Sequence, residues 1–218
     1  TDEGIYQKYD VKTLEKKKVN KLELMKEMGL EPDENRLLIG MVSRLVDHKG
    51  LDLVRYIFHD MMGDNVSFVL LGSGDAEYES FFREMQNRYP GRVAVRIGFI
   101  PSLSKKIYAG ADAFLMPSKS EPCGLAQMVA ARYGTLPIVR ETGGLKDSIH
   151  DVGGENGNGF TFKTYNAHDM LGAIRRAEGL FGNKALWNEA MTDAMESDFS
   201  WKKSANDYVN VYRMILND

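Results

Sequence analysis

Residues 113–145 constrain the fold of this chain more than any other stretch. They begin with residues 113–117, an apolar run without polar alternation, which is typical of a buried parallel strand. A polar turn, a helical run, a second apolar strand and a glycine turn follow in that order. Because ligands bind at the carboxyl ends of the strands in open α/β sheets, both turns are predicted to face one crevice.

The first turn, Glu121-Pro122-Cys123-Gly124-Leu125-Ala126, is typical of an anion site beside a sugar site. Pro122 suits the first position of a helix, and Gly124 allows a ligand to approach the backbone. The N–H groups of Gly124, Leu125 and Ala126 would face outward at the positive end of the helix dipole, where phosphate binds. Glu121 would accept hydrogen bonds from neutral hydroxyl groups; the alternative is that it only caps the helix.

Two further turns are predicted at the same edge of the sheet. Thr142-Gly143-Gly144 either binds an anion or only makes a tight turn. Residues 36–43 form a buried strand, which leads through Arg44 and Lys49 into a helix at residues 51–62. An arginine and a lysine at this spacing can bind two oxygens of a diphosphate, whereas the plain alternative is two surface cations. Their place at the shared edge favours the diphosphate.

Two more strands are predicted at residues 65–71 and 92–99. The first ends in Gly72-Ser73-Gly74, a glycine turn that resembles an incomplete dinucleotide-binding fingerprint. The second ends near Phe99, whose ring either stacks on a base or fills the core. A short final strand is predicted at residues 159–162.

The alternation of strands and helices predicts an α/β fold, with a Rossmann-like parallel sheet of about six strands covered by helices on both faces. Residues 1–10 are predicted to be a linker or an extended arm, and residues 11–218 a single domain. The lysine run at residues 16–18 is expected to lie on a solvated helix face. Residues 151–159 are expected to form a mobile loop, and Ser200 to cap a last helix at residues 201–216.

Composition excludes several other classes of protein. The net charge of -3 argues against a general nucleic-acid binder, and no apolar run approaches the length that spans a membrane. The single cysteine rules out an intrachain disulfide and fits a reducing compartment. The four histidines are scattered, and with the cysteine they form no metal-ligand spacing, so no metal is expected.

Taken in order, the motifs resemble the C-terminal, nucleotide-sugar-binding half of bacterial glycogen synthase and plant starch synthase. These enzymes are retaining glucosyltransferases of the GT-B architecture. The matching stretches are Ser43-Arg44-Leu45, Lys49-Gly50-Leu51-Asp52, Gly72-Ser73-Gly74, Tyr108-Ala109-Gly110-Ala111-Asp112, Pro117-Ser118, Glu121-Pro122-Cys123-Gly124-Leu125, Tyr133-Gly134-Thr135-Leu136-Pro137, Thr142-Gly143-Gly144-Leu145-Lys146-Asp147 and Phe199-Ser200-Trp201.

The resemblance implies a role for each matching residue. Arg44 and Lys49 would bind the diphosphate of ADP-glucose and stabilise the leaving group without a metal or another cofactor. The backbone of Leu125 and Ala126 would hold the distal phosphate, and Glu121 would bind glucose hydroxyl groups. The remaining implied contacts are Phe99 against the adenine, Cys123 and Gly124 along the sugar-phosphate pocket, and Thr142 and Gly143 at the nucleotide sugar.

The chain departs from related families in two respects. Val129 stands where many retaining GT-B enzymes have a second glutamate, which is expected for glycogen and starch synthases. The family's N-terminal half is absent from the sequence, so an acceptor α-1,4-glucan would bind through that missing half, and the isolated chain is expected to be inactive. A bacterial cytoplasm is expected, or a plastid for a plant protein. The alternatives are a transferase that uses UDP-glucose and a non-catalytic nucleotide-binding module.

Overall fold

Six parallel strands form one sheet in the order β3-β2-β1-β4-β5-β6 in this computed structural model, which describes residues 2–63 and 65–217. The strands are β1 (Leu37–Leu45), β2 (Val66–Gly74), β3 (Val93–Ile97), β4 (Ala113–Met116), β5 (Leu136–Arg140) and β6 (Phe160–Phe162). The chain builds β1 to β3 outward in one direction and then returns to build β4 to β6 on the other side. The strand order therefore reverses between β1 and β4, the position at which α/β sheets bind ligands.

Helices follow the strands, as the alternation predicts. They are α1 (Lys17–Met28), α2 (Leu51–Met61), α3 (Ala76–Arg88), α4 (Pro101–Gly110), α5 (Ala126–Arg132), α6 (Gly143–Ser148), α7 (Ala167–Phe181), α8 (Lys184–Glu196) and α9 (Trp201–Asn217). Short 3-10 helices at Val11–Lys16 and Asp47–Lys49 precede α1 and α2.

The sheet is buried on both faces because its central strands are apolar without alternation. In β1, the neighbouring residues Leu37, Leu38 and Ile39 are all fully buried. Leu37 and Ile39 belong to a core shared with α2, α7 and α8, whereas Leu38 belongs to a second core shared with α1 and α4. The predicted Rossmann-like α/β fold with helices on both faces is confirmed.

The prediction that β2 ends at a glycine turn is wrong. Strand pairing continues to its last residue, where Arg44 lies opposite Ser73 and Leu45 opposite Gly74. A Cβ atom at Gly72 would lie 2.1 Å from the carbonyl oxygen of Ser43. These glycines therefore allow close packing of two strands, and β1 likewise extends beyond the predicted residue 43.

The lysine run at the start of α1 is only partly solvated, contrary to the prediction. Lys17 is 5% exposed, and its ammonium group donates to the carbonyl of Ala109 at 2.8 Å and to Oγ1 of Thr135 at 2.7 Å. Burial lowers the pKa of Lys17 to about 7. Lys21, one turn later, is also buried and pairs with Asp112 at 2.7 Å. Two lysines of α1 thus face the domain interior.

The first residues, predicted to be a linker or an extended arm, contain no helix or strand from residue 2 to residue 10 but lie against the domain. The hydroxyl of Tyr9 donates to the carbonyl of Tyr133 at 2.6 Å. The hydroxyl of Tyr133 in turn donates to the carboxylate of Asp2, which lowers the pKa of Asp2 to about 2. Both ends of this segment are therefore attached to Tyr133, the residue after α5.

The glycine-rich segment at residues 151–159, predicted to be a mobile loop, is fixed by a buried side chain. Asn158 is 3% exposed, and its amide donates to the carbonyl of Ser148 and to Oγ of Ser197, both at 3.0 Å. Its Oδ1 accepts from the backbone N–H of His150 at 2.8 Å. The end of the loop is thereby attached to α6 and to the segment after α8.

No helix in the described parts of the chain combines the length and the apolar character needed to cross a membrane.

Candidate active site

The carboxyl end of β1 delivers two cations to the point where the strand order reverses. Arg44 is the penultimate residue of β1 and is exposed, and Lys49 ends the short 3-10 helix that follows. Gly50 has φ +73, and a Cβ atom there would lie 2.1 Å from the carbonyl oxygen of Pro117. A glycine at this position therefore brings Lys49 against the segment that follows β4.

Lys49 meets Glu121 directly. The ammonium nitrogen lies 2.6 Å from Oε2 of Glu121, and the two side chains are 17% and 12% exposed. The same Oε2 accepts a hydrogen bond from the hydroxyl of Ser118 at 3.2 Å. Ion pairing offsets much of the cost of removing both charges from water. The structure thus brings together two of the predicted catalytic residues, and it adds Ser118, to which the sequence assigned no role.

The turn after Glu121 does not start a helix at Pro122. Gly124 has φ +69, a left-handed conformation that favours glycine, and α5 begins only at Ala126. Buried Gln127 holds this turn, because its side-chain amide donates to the carbonyls of Cys123 at 3.1 Å and Gly124 at 3.0 Å. The helix therefore starts four residues later than predicted, since these side-chain bonds fix a tight turn in its place.

The glycines after β5 pack against the same turn. A Cβ atom at Gly143 would lie 2.2 Å from the carbonyl oxygen of Glu121, and one at Gly144 would lie 2.0 Å from that of Cys123. The N–H of Gly144 donates to the carbonyl of Glu121 at 3.1 Å. Thr142 precedes α6 in an extended conformation. The start of α6 thus supports the segment that carries Glu121, and anion binding at this turn stays a prediction.

A cavity of about 200 Å³ opens between these elements. Its charged lining comes from Arg44, Lys49 and Glu121, Ser43 and Ser118 add hydroxyl groups, and the apolar lining includes Leu115 and Met116. The predicted residues that line this cavity are Arg44, Lys49, Glu121, Gly124, Leu125 and Ala126. The cavity therefore combines fixed positive charge, one carboxylate and the backbone of a turn.

A second cavity of about 300 Å³ adjoins the first and shares Arg44 with it. Phe99 lines this cavity and is 90% exposed, so it does not fill the core. Tyr108 forms part of the wall, and burial raises its pKa to about 12, which keeps the phenol protonated. A partly apolar cavity with an exposed aromatic ring, next to a cationic one, has the chemistry of a nucleotide site.

Three predicted residues lie outside both cavities. Cys123 is exposed and lines a separate groove bordered by α6 and the start of α9. Thr142 and Gly143 do not line either cavity, and Gly143 packs against the carbonyl of Glu121 as described above.

No group of three or more His, Cys, Asp or Glu side chains within residues 2–63 and 65–217 is placed to hold a metal ion. That the site works without a metal stays a prediction from the sequence. The positive charge that the described residues supply to the first cavity comes from Arg44 and Lys49.

Comparison with known families identifies this arrangement. A family model described as "Glycosyl transferases group 1" matches residues 26–180, which include both cations, Phe99 and the turn at Glu121. The chain belongs to the glycosyl transferases group 1 family. The glycosyltransferase class predicted from the motifs is thereby confirmed.

Curated relatives of the chain are glycogen synthases. The glycogen synthase of Anoxybacillus flavithermus is 49% identical over 210 residues, which cover 95% of this chain and 43% of that protein. The glycogen synthase of Clostridium acetobutylicum is 49% identical over 220 residues, which cover 99% of this chain and 46% of that protein. The chain therefore spans a little under half the length of these relatives.

Solved structures agree with the assignment of the fold. The catalytic domain of starch synthase IV from Arabidopsis thaliana, bound to ADP and acarbose, matches with a TM-score of 0.89 and 34% identity, covering 100% of this chain and 46% of that chain. HepE of Anabaena, in complex with UDP and glucose, matches with a TM-score of 0.64 over 88% of this chain and 50% of that chain. HepE is only 17% identical, so it supports the GT-B fold alone.

Proposed function

We propose that this chain is the donor-binding half of an ADP-glucose-dependent glucan synthase. The full enzyme would transfer glucose from ADP-glucose to the non-reducing end of an α-1,4-glucan with retention of configuration. The observation that carries the proposal is the pair of adjoining cavities, one cationic and one aromatic, which meet at Arg44. The 49% identity to glycogen synthases and the ADP-bound starch synthase of the same fold support it.

In this proposal, Arg44 and Lys49 bind the diphosphate. A guanidinium group can bind two phosphate oxygens in a bidentate manner, and an ammonium group adds a compact second charge. As the glycosidic bond breaks, negative charge grows on the departing ADP, and fixed cations stabilise it without reorganisation. The backbone of Leu125 and Ala126 contributes N–H groups to the same phosphate. The reaction would need no metal or other cofactor.

Glu121 binds the glucose unit in this proposal. Its carboxylate lies in the first cavity, where Lys49 at 2.6 Å and the hydroxyl of Ser118 at 3.2 Å both contact Oε2. Those contacts leave Oε1 as an acceptor for sugar hydroxyl groups. Gly124 allows the sugar phosphate to approach the backbone, whereas Cys123 lies in the separate groove and is not assigned a contact with the sugar. Thr142 and Gly143 act by supporting the turn.

The adenine would stack on Phe99 in the second cavity. The exposed ring offers a face on which an aromatic base can stack. The acceptor glucan would bind through the other half of the full-length protein. A bacterial cytoplasm is the proposed location, which the bacterial glycogen synthase relatives and the single cysteine support.

Calorimetric titration of the full-length protein with ADP, ADP-glucose and UDP-glucose tests this proposal. We expect ADP and ADP-glucose to bind and UDP-glucose to bind much more weakly. Arg44→Ala and Lys49→Ala should each weaken ADP binding about tenfold or more, because each removes charge-assisted hydrogen bonds. Lys26→Ala is the matched control, since Lys26 lies on the exposed surface of α1 and pairs there with Glu23 at 2.7 Å.

Two outcomes would replace the proposal. Preferential binding of UDP-glucose would indicate a transferase with another donor. Failure of every nucleotide sugar to bind the full-length protein would indicate a non-catalytic module, against which the presence of Arg44, Lys49 and Glu121 in one cavity argues.

A further inference from the structure

Arg140 is a charged residue at the edge of the candidate site that neither the motifs nor the cavity linings include. It is the last residue of β5 and is half-buried. Its Nε donates to the carbonyl oxygen of Ser118 at 3.0 Å, and its Nη2 donates to that of Lys119 at 2.5 Å. One guanidinium group therefore binds two consecutive carbonyls of the segment between β4 and Glu121.

The contacts of Arg140 differ from those of a surface arginine in an ion pair. Within residues 2–63 and 65–217, no carboxylate lies within ion-pair distance of its guanidinium group. The group lies instead over the ring of Tyr165, 5.5 Å from its centroid, and the hydroxyl of Tyr165 donates to Asp52 at 2.5 Å. A planar guanidinium with fixed donors and an aromatic face beside it holds one orientation well.

Ser118 connects Arg140 to the candidate site. Its carbonyl accepts from Arg140, while its hydroxyl donates to Oε2 of Glu121 at 3.2 Å. Ser118 is 1% exposed, so water does not replace these contacts readily. On the other side of the segment, the N–H of Lys119 donates to the carbonyl of His48 at 2.9 Å. The segment is thus held from β5 and from the turn that carries Lys49.

We propose that Arg140 is a positioning residue of the donor site: it fixes the carbonyls of Ser118 and Lys119 so that the Ser118 hydroxyl orients Glu121 toward the sugar. The proposal rests on the proposed function, in which Glu121 binds glucose. Arg140 touches neither the diphosphate nor the base in this arrangement. Its loss should therefore weaken recognition of the glucose unit and leave recognition of ADP intact.

The test compares the binding of ADP with that of ADP-glucose in the full-length protein. The variants are Arg140→Met, Arg140→Lys, Ser118→Ala, Glu121→Gln, and the double variant that combines Arg140→Met with Glu121→Gln. The matched control is Arg175→Met, because Arg175 also donates to a backbone carbonyl, that of Asp60, but at the far end of α2. Thermal unfolding of every variant is recorded alongside.

We expect Arg140→Met to weaken ADP-glucose binding about fivefold or more, as the loss of oriented hydrogen bonds to a charged group predicts, and to leave ADP binding within about twofold. Arg140→Lys should recover part of the loss, because an ammonium group can still donate to one carbonyl. In the double variant, the effects should not add, since both substitutions act on the same contact to glucose. Arg175→Met should change neither ligand's affinity.

Three results would overturn this inference. They are equal losses for ADP and ADP-glucose in Arg140→Met, additive effects in the double variant, and unchanged ADP-glucose binding. If Arg140→Met does not fold, Ser118→Ala serves as the test, because it removes a single hydroxyl group. It must then weaken the binding of ADP-glucose and leave the binding of ADP unchanged. A wild-type protein that binds no ADP-glucose would refute the proposed function, whereas the results above refute only the role of Arg140.

Discussion

The charged side chains of the first cavity differ in exposure and in whether they form an ion pair. Lys49 and Glu121 neutralise each other at 2.6 Å and are only 17% and 12% exposed. Arg44 is exposed and borders both cavities. A diphosphate would therefore meet Arg44 first and would then compete with Glu121 for Lys49. If the cavities bind a nucleotide as proposed, its initial attraction should therefore depend on Arg44.

Phe99 provides a test of base recognition at this scale. Replacement by alanine should weaken ADP binding by about 1–3 kcal/mol, or roughly 5- to 150-fold, because the stacking surface for the base is lost. Titration with ADP measures the effect. Stability should not change, since the ring is 90% exposed. The control is Tyr56→Ala, which removes a ring that is 72% exposed on α2; equal weakening by both substitutions would contradict base stacking.

Lys17 gives a pH dependence whose sign follows from burial. The unfolded chain holds the proton up to the ordinary pKa of 10.5, whereas the folded chain releases it near pH 7. Between these values the unfolded state binds more protons, so the free energy of unfolding should rise with pH. From pH 7 to pH 9 the contribution of Lys17 is about 2 kcal/mol.

Urea unfolding at pH 7, 8 and 9 measures this dependence. The rise should be smaller by about that amount, roughly 2 kcal/mol, in Lys17→Met, which has no group to titrate. Lys18→Met is the matched control, because Lys18 is the exposed neighbour on α1. The same pH dependence in wild type and Lys17→Met would show that Lys17 stays protonated in the fold.

At the scale of elements, the site is built from turns whose backbones touch. The first residues of α6 pack on the turn before α5, and the residue before α2 packs on the segment that follows β4. In each pair, a glycine removes the Cβ atom that would separate the two backbones. The separation of the cations from Glu121 is therefore fixed by backbone contacts and does not depend on flexible side chains alone.

Gly144→Ala tests these backbone contacts. The added Cβ would lie 2.0 Å from the carbonyl oxygen of Cys123, so the turn must shift. We expect the protein to lose about 1–3 kcal/mol of stability, as in other overpacked sites, and to bind ADP-glucose more weakly. Chemical unfolding and titration measure both effects.

Gly179→Ala is the matched control for Gly144. Gly179 lies in α7, and nothing approaches its Cβ position within 4 Å. Alanine there should stabilise the protein by about 0.5–1 kcal/mol, because alanine favours the helical conformation. A stable Gly144→Ala protein with normal affinity would show that the turns tolerate separation.

At the scale of the whole molecule, α9 differs from the other helices. The side chains described for it, residues 201–216, are all exposed, with Trp201 at 89% and Leu216 at 83%. The sequence predicts this helix, and its start at Trp201 agrees with the prediction. Oγ of Ser200 lies 3.5 Å from the backbone nitrogen of Lys203, as a cap would.

Shortening the chain to end at Ser200 should therefore change its thermal midpoint by no more than about 2 °C, because exposed side chains contribute little packing. Differential scanning calorimetry of the two chains measures the difference. Ending the chain at Gly182 is the contrasting case, since it also removes α8, where Trp187 is 3% exposed. A large loss after the shorter deletion would mean that α9 supports the domain.

The sequence by itself determined the architecture and the place of the site. Unbroken apolar runs indicated the buried parallel strands, and the alternation with helices fixed their connections, because crossovers in such sheets follow one hand. Because ligands bind at the carboxyl ends of parallel strands, the sequence predicted Arg44, Lys49 and Glu121 at one crevice. In the structure, these three residues line one cavity. Both conclusions depend on local patterns and on general rules of topology.

Only the tertiary structure decided which side chains meet. Lys17 reads as one more solvated lysine, yet it is buried against Thr135, which lies 118 positions away in the chain. The contact between Arg140 and Ser118 likewise joins residues 22 positions apart, which follow or end two different strands. These features depend on distances between segments that are remote in sequence. No local pattern records such distances, because they arise only when the sheet has brought the segments together.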